Sequence, residues 1–291
     1  MHKFILFGFL LSVTGTAKAT IPVTSPSSRV KVAPSLWDFN TQEELDALIR
    51  RNYENPRASY YLLNNAYRKG FATHAALLYL RNAKSKKVFT AKRWVGAAYA
   101  ATLGSGVYGY GSGTPNGRDF MEVTEYGGFL YSYLGLAVQE APKSPDVLMM
   151  SAATLETTIS GRTNSKGELW DNPQWRNVFS WLKRAQKLDP NWADAQYWYG
   201  VSLEDYWQDT GRKNTPLLLR AKAALLDAQR LDPNMAGSCA WRLWTVAQDM
   251  KRPEEQLRYM RVWFAWQPRY ANQPFFRDTY AALVRQVGQA Q

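Results

Sequence analysis

Cysteine is almost absent from this 291-residue chain: Cys239 alone has no partner for an intramolecular disulfide, so stability has to come from packing. Histidine is nearly as scarce, with only His2 and His74. That leaves little material for a metal site or a Ser-His-acid relay. Beyond the first segment no apolar run approaches the ~18 residues of a membrane span, which excludes integral membrane insertion. Alternating strand patterns are missing too, and from Pro56 onward a helical period dominates. Acid is in deficit, with 24 Asp and Glu against 36 Lys and Arg and a formal net charge of +12. What is plentiful is apolar and aromatic, at 46% and 14% of residues. Such a chain folds around a buried core, and at ~150 residues per domain it makes one or two domains.

Residues 1–19 read as a signal peptide. His2 and Lys3 precede an apolar stretch from Phe4 to Val13, and Ala17-Lys18-Ala19 places small residues at the two positions a signal peptidase requires. The cut is expected after Ala19, with a periplasmic or secreted product; no cysteine near the cut offers a lipid anchor. Residues 20–40, rich in Pro, Ser and Thr, read as a flexible arm. Trp37 and Phe39 are placed to staple its end to the first helix, which Thr41 and Glu44 should open as a capping box. Residues 41–291 then form the helical domain.

That domain repeats. Lys187-Leu188-Asp189-Pro190-Asn191 and Arg230-Leu231-Asp232-Pro233-Asn234 are two copies of one turn, each between amphipathic helices. The same offsets recur upstream of three prolines: Leu182 and Ala185 before Pro190, Leu225 and Ala228 before Pro233, Leu134 and Ala137 before Pro142. With Tyr60, Leu63, Tyr67, Ala76, Leu80 and Ala83 in a first unit, and Tyr199-Gly200, Leu203, Ala221, Leu225 and Ala228 in a fourth, the pattern resembles the tetratricopeptide repeat (TPR), a pair of antiparallel helices of about 34 residues. Gly200, Ala221 and Ala228 supply the small residues that let helices approach closely. A fifth unit departs from the pattern, with Glu255 where alanine is usual and Pro268 one residue late.

The resemblance implies an all-α, right-handed superhelix of about five helix pairs, with a capping helix at each end. Later units start at Ala91, Pro145, Ala193 and Ala236, so their spacings exceed the repeat length. The surplus falls between the helices of a pair, at residues 104–118, 160–173 and 208–216, where three neighbouring loops would share one edge. The resemblance further implies docking of a protein or peptide on a concave face. Transferred to this chain, that face carries Tyr61, Asn65, Arg68, Lys92, Tyr99, Asp146, Met149, Tyr197, Glu204, Asp205 and Trp244. Aromatics there would give apolar contact, Asn65 a hydrogen bond to an extended backbone, and Arg68 and Lys92 a grip on a carboxylate.

Other chemistry finds less support. The glycine-rich stretch from Gly104 to Gly113 follows a helix instead of a strand and lacks the Gly-Lys-Ser/Thr ending, so it does not read as a phosphate cradle. No metal-ligand spacing is present, and no cofactor is expected. His74 and Cys239 read as structural. Glu125, Glu156, Asp171, Glu204 and Asp205 are the carboxylates a glycosidase would draw on, and ten of the twelve tryptophans, between Trp170 and Trp266, suit sugar stacking. A carbohydrate-binding or carbohydrate-active protein is therefore the alternative to a non-catalytic scaffold. Arg81, Lys84, Lys86, Lys87, Lys92 and Arg93 form a run without acids that would attract an anionic envelope polymer more readily than nucleic acid.

Overall fold

Thr41 opens the first helix as the sequence dictates: its hydroxyl accepts from the Glu44 amide while the Glu44 carboxylate accepts from the Thr41 amide. The structure, a computed structural model, describes residues 39–85, 90–104, 133–160, 172–212 and 214–289. The signal-peptide expectation, nearly all of the arm, and the loop residues 105–132 and 161–171 lie outside these.

Every regular element among the described residues is helical. In chain order they are α1 (Gln42–Asn52), α2 (Pro56–Lys69), α3 (Ala72–Ser85), α4 (Ala91–Gly104), α5 (Leu134–Glu140), α6 (Pro145–Ile159), α7 (Trp175–Leu188), α8 (Ala193–Asp209), α9 (Thr215–Leu231), α10 (Ala236–Asp249), α11 (Pro253–Trp266), the short α12 (Pro268–Ala271) and α13 (Pro274–Gln289). They pack pairwise in sequence, α6 on α7, α8 on α9 and α10 on α11, and each pair leans on the next. The expected all-α stack of five pairs is therefore present, with α1 packed on α2 and α3 at one end and α13 on α11 at the other.

Proline sets the punctuation. Ala141, Asp189, Asp232 and Gln267 each end a helix, each stands directly before a proline, and each donates its amide to the carbonyl four residues back. Their φ values, from −124° to −138°, are the extended backbone that a following proline ring demands. Gln267 makes the same turn as the other three, so the offset proline of the fifth unit changes nothing locally. Gly200 confirms the close crossing of α8 on α9: a Cβ there would lie 2.8 Å from Leu225 Cγ and 3.1 Å from the Ala221 carbonyl.

Two expectations are corrected. The surplus between the fourth pair's helices does not form a loop over 208–216; it lengthens both helices to 17 residues. Trp207 and Asp209 are buried, so burial carries α8 beyond its expected end, and the connection turns tightly with Gly211 and Arg212 at positive φ. The larger correction concerns the concave face, which α2 fills. Residues 56–66 of α2 are buried without interruption. A helix buried on all sides is a core helix, and α2 packs against α3, α4 and α6 as well as α1.

Candidate functional site

The fate of the expected groove follows from the polar residues of α2. Arg57 donates from Nε to Asp146 at 2.5 Å and from Nη2 to Asp189 at 2.9 Å, and its guanidinium lies 3.9 Å from the centre of the Trp192 ring. Burial acts against its charge, but the two carboxylates outweigh that and hold the arginine more firmly protonated than usual. One turn on, Asp194 in the first turn of α8 accepts from Tyr61 Oη at 2.6 Å, Tyr60 Oη at 3.3 Å and Trp192 Nε1 at 3.1 Å. Trp198 Nε1 donates to Tyr60 Oη, and Tyr99 Oη donates to Asn64 Oδ1 at 2.7 Å. Desolvation first, then the Asp194 charge, pushes the Tyr60 and Tyr61 hydroxyls well above their ordinary range, so they stay protonated donors. The first pair is thus bolted to the fourth through side chains more than 130 residues apart.

Of the residues expected to face a bound segment, Tyr61, Asn65, Tyr99, Met149, Tyr197, Glu204, Asp205 and Trp244 are all buried, at 9% exposure or less. Asp146 is half-buried beneath Arg57. Only Arg68, which donates to the Asn64 carbonyl, and Lys92 are exposed. The structure brings most of these residues together, but as interior and not as an open face. Apolar and aromatic bulk that would line an open groove serves equally well to fill a closed one, which is why the sequence did not separate the two.

Toward the other end of α8 lies a second polar cluster. Arg242 Nη1 reaches Glu204 Oε2 at 3.3 Å and Asp205 Oδ1 at 3.2 Å, and Thr245 Oγ1 donates to Glu204 Oε1 at 2.5 Å. Glu204 is fully buried, and desolvation pushes its carboxyl up to about 7 despite the arginine. Burial also opposes the charge of Arg242, yet Asp205, Glu204 and the more distant Glu156 hold it protonated. A carboxyl of this kind has the acidity of a proton donor, but with 0% exposure it has no path to a substrate. Glu125 and Asp171, the remaining glycosidase candidates, lie outside the described residues.

The basic run is divided. Arg81 and Lys92 are exposed, while Arg93 is half-buried and ion-paired with Glu54. Lys86 and Lys87 lie outside the described residues, as does the side chain of Lys84. The structural readings of His74 and Cys239 agree with their places. His74 Nε2 meets Asp46 Oδ1 at 2.6 Å, joining α3 to α1. Cys239 is buried, and desolvation raises its thiol far above the range of a reactive thiolate.

One accessible concavity was not anticipated. Asn172, Pro173, Trp175, Arg176, Phe179 and Tyr206 line a depression of about 220 Å³ where the start of α7 meets the end of α8. Trp175 and Phe179, one turn apart, stack at 5.8 Å and 23°, and Tyr206 meets Phe179 edge-on at 5.4 Å. Trp175 Nε1 donates to Asp209 Oδ2 at 3.3 Å, which fixes the floor. Phe179 and Tyr206 are half-buried, and Arg176 is exposed. The signal was available in the Trp175/Phe179 spacing of four and the Tyr199/Tyr206 spacing of seven, each of which puts two rings on one helix face.

No protein-family model matches the chain, and no curated protein does either. Among solved structures, a thermophilic TPR protein of Thermus thermophilus is similar at 16% identity and a TM-score of 0.47, over 79% of this chain and 98% of that one.

Proposed function

We propose that this chain is a non-catalytic helical scaffold that docks a protein or peptide partner in the cell envelope or outside the cell. The pairwise stack gives it a long outer surface on rigid elements. The leader-like first nineteen residues favour an extracytoplasmic site. The observation that carries a non-catalytic reading is the burial of the described carboxylates a hydrolase would use: Glu156, Glu204 and Asp205 are 3%, 0% and 6% exposed. Docking then belongs to the outside of the stack, since α2 occupies its inside.

The experiment is affinity capture from envelope extract with the parent chain and with a surface variant, Arg176→Gln with Phe179→Leu, matched for thermal stability. Loss of one specific partner with the variant supports docking there. Identical recovery by both chains counts against it.

A second reading, a carbohydrate-binding scaffold, is favoured by the half-buried rings of the Trp175–Phe179–Tyr206 depression. Incubation with purified cell-wall polymer tests it: pelleting without sugar release supports binding, and released sugar would overturn the non-catalytic assignment.

A further inference from the structure

Resting on the carbohydrate reading, the geometry points to an acidic sugar: we propose that the depression between α7 and α8 takes one pyranose ring of a uronic-acid polymer, with the ring against Phe179 and Tyr206 and its carboxylate on Arg176. Three observations converge on this chemistry.

The first is size. At about 220 Å³ the depression is smaller than the ~300 Å³ at which drug-sized ligand pockets begin, which suits a single ring and not an extended side-chain array. The second is the lining. Aromatic faces carry negative charge and attract the weakly positive C–H groups on the apolar face of a sugar. Two half-buried rings held by Trp175 need no ordering on binding, because Phe179 already meets Tyr206 at 5.4 Å and Tyr199 at 6.2 Å.

The third is charge. Arg176 is exposed at the rim and has no ion pair among the described residues. Lys183, two turns along the same helix face, is also exposed. Arg220 on α9 donates to Tyr199 Oη at 2.5 Å, and the Tyr199 ring in turn meets Phe179. Asp209, whose carboxylate meets the Trp175 indole, is 3% exposed, so it does not confront an incoming anion. A planar guanidinium beside an aromatic platform matches a carboxylate attached to a ring.

The test uses the full chain, titrated calorimetrically with tetragalacturonate and with its methyl ester, which has the same rings but no charge. The acid should bind about tenfold or more tighter than the ester. Arg176→Gln, at an exposed position, should abolish that preference while leaving ester binding in place. Phe179→Leu should weaken both ligands, and circular dichroism should show an unchanged helical signal for both variants. Equal affinity for acid and ester would overturn the acidic-sugar proposal and leave the carbohydrate reading standing. Failure to bind either would overturn both. An acid preference that survives Arg176→Gln would also overturn the proposal, because the anion would then be held elsewhere.

Discussion

The two ends of the inner face handle buried charge differently. Where α2 meets α8, one carboxylate, Asp194, receives three donors aimed at it from two sides. Where α8 meets α10, two adjacent carboxylates, Glu204 and Asp205, share one guanidinium, and Arg242 Nε and the Trp244 indole N–H make no hydrogen bond among the described residues. A buried acid surrounded by directed donors is a fastener. A buried acid that shares its cation with a neighbouring carboxylate is a proton-binding site, and its cost depends on pH.

Removing the fastener should have the largest effect. Asp194→Ala removes the acceptor that the Tyr60 and Tyr61 hydroxyls share in a dry interior, while the Trp192 indole keeps its bond to Tyr61 Oη, and should cost on the order of 3 kcal/mol in urea unfolding. A loss below about 1 kcal/mol would mean that the first and fourth pairs are not bolted together. Next comes Gly237→Ala on α10. The added Cβ would fall 2.1 Å from Trp266 ring carbons, forcing the indole at the end of α11 to move, at about 1–3 kcal/mol.

Glu204→Gln sharpens the contrast through pH. The native carboxyl titrates at about 7, above the ordinary 4.5 of the unfolded chain, so between those values the folded state holds a proton that the unfolded state has lost. The parent's stability should therefore decline as pH rises through that interval, with the full penalty present above about pH 7. Glutamine stays neutral. The variant should match the parent near pH 4 and exceed it near pH 8, with Asp205, Arg242, Thr245 and Asp249 as the unchanged surroundings. Parallel pH profiles would show that Glu204 is ionised in the fold. The smallest effect belongs to His74→Gln, whose half-exposed contact with Asp46 should be worth less than about 1 kcal/mol.

The sequence made local architecture legible and left long-range closure unread. Capping by Thr41, the Asp-Pro turns, the crossing at Gly200 and the five helix pairs all depend on residues close in sequence, whose spacing records their contacts. The position of α2 depends on how tightly successive pairs coil, and no periodic pattern encodes that. Arg57 carries no mark of its partners Asp146 and Asp189, because their meeting is a property of the whole stack. For the same reason Tyr61, Tyr99 and Trp244 fall at groove positions in the repeat yet are covered in the molecule. The lengthened α8 was hidden for a different reason: its last turn is held by the burial of Trp207 and Asp209, which the spacing of small residues does not encode.

The seat of α2 also changes what kind of object a repeat array is. Arrays of identical modules are normally extended or shortened from either end at little penalty, because each module knows only its neighbours. Here the N-terminal module is the keystone of the fourth, so a fragment starting at α4 would leave Asp194, Trp192 and Trp198 facing water without their tyrosines. Shortening the array from its N-terminal side would therefore unmake the fourth module along with the first.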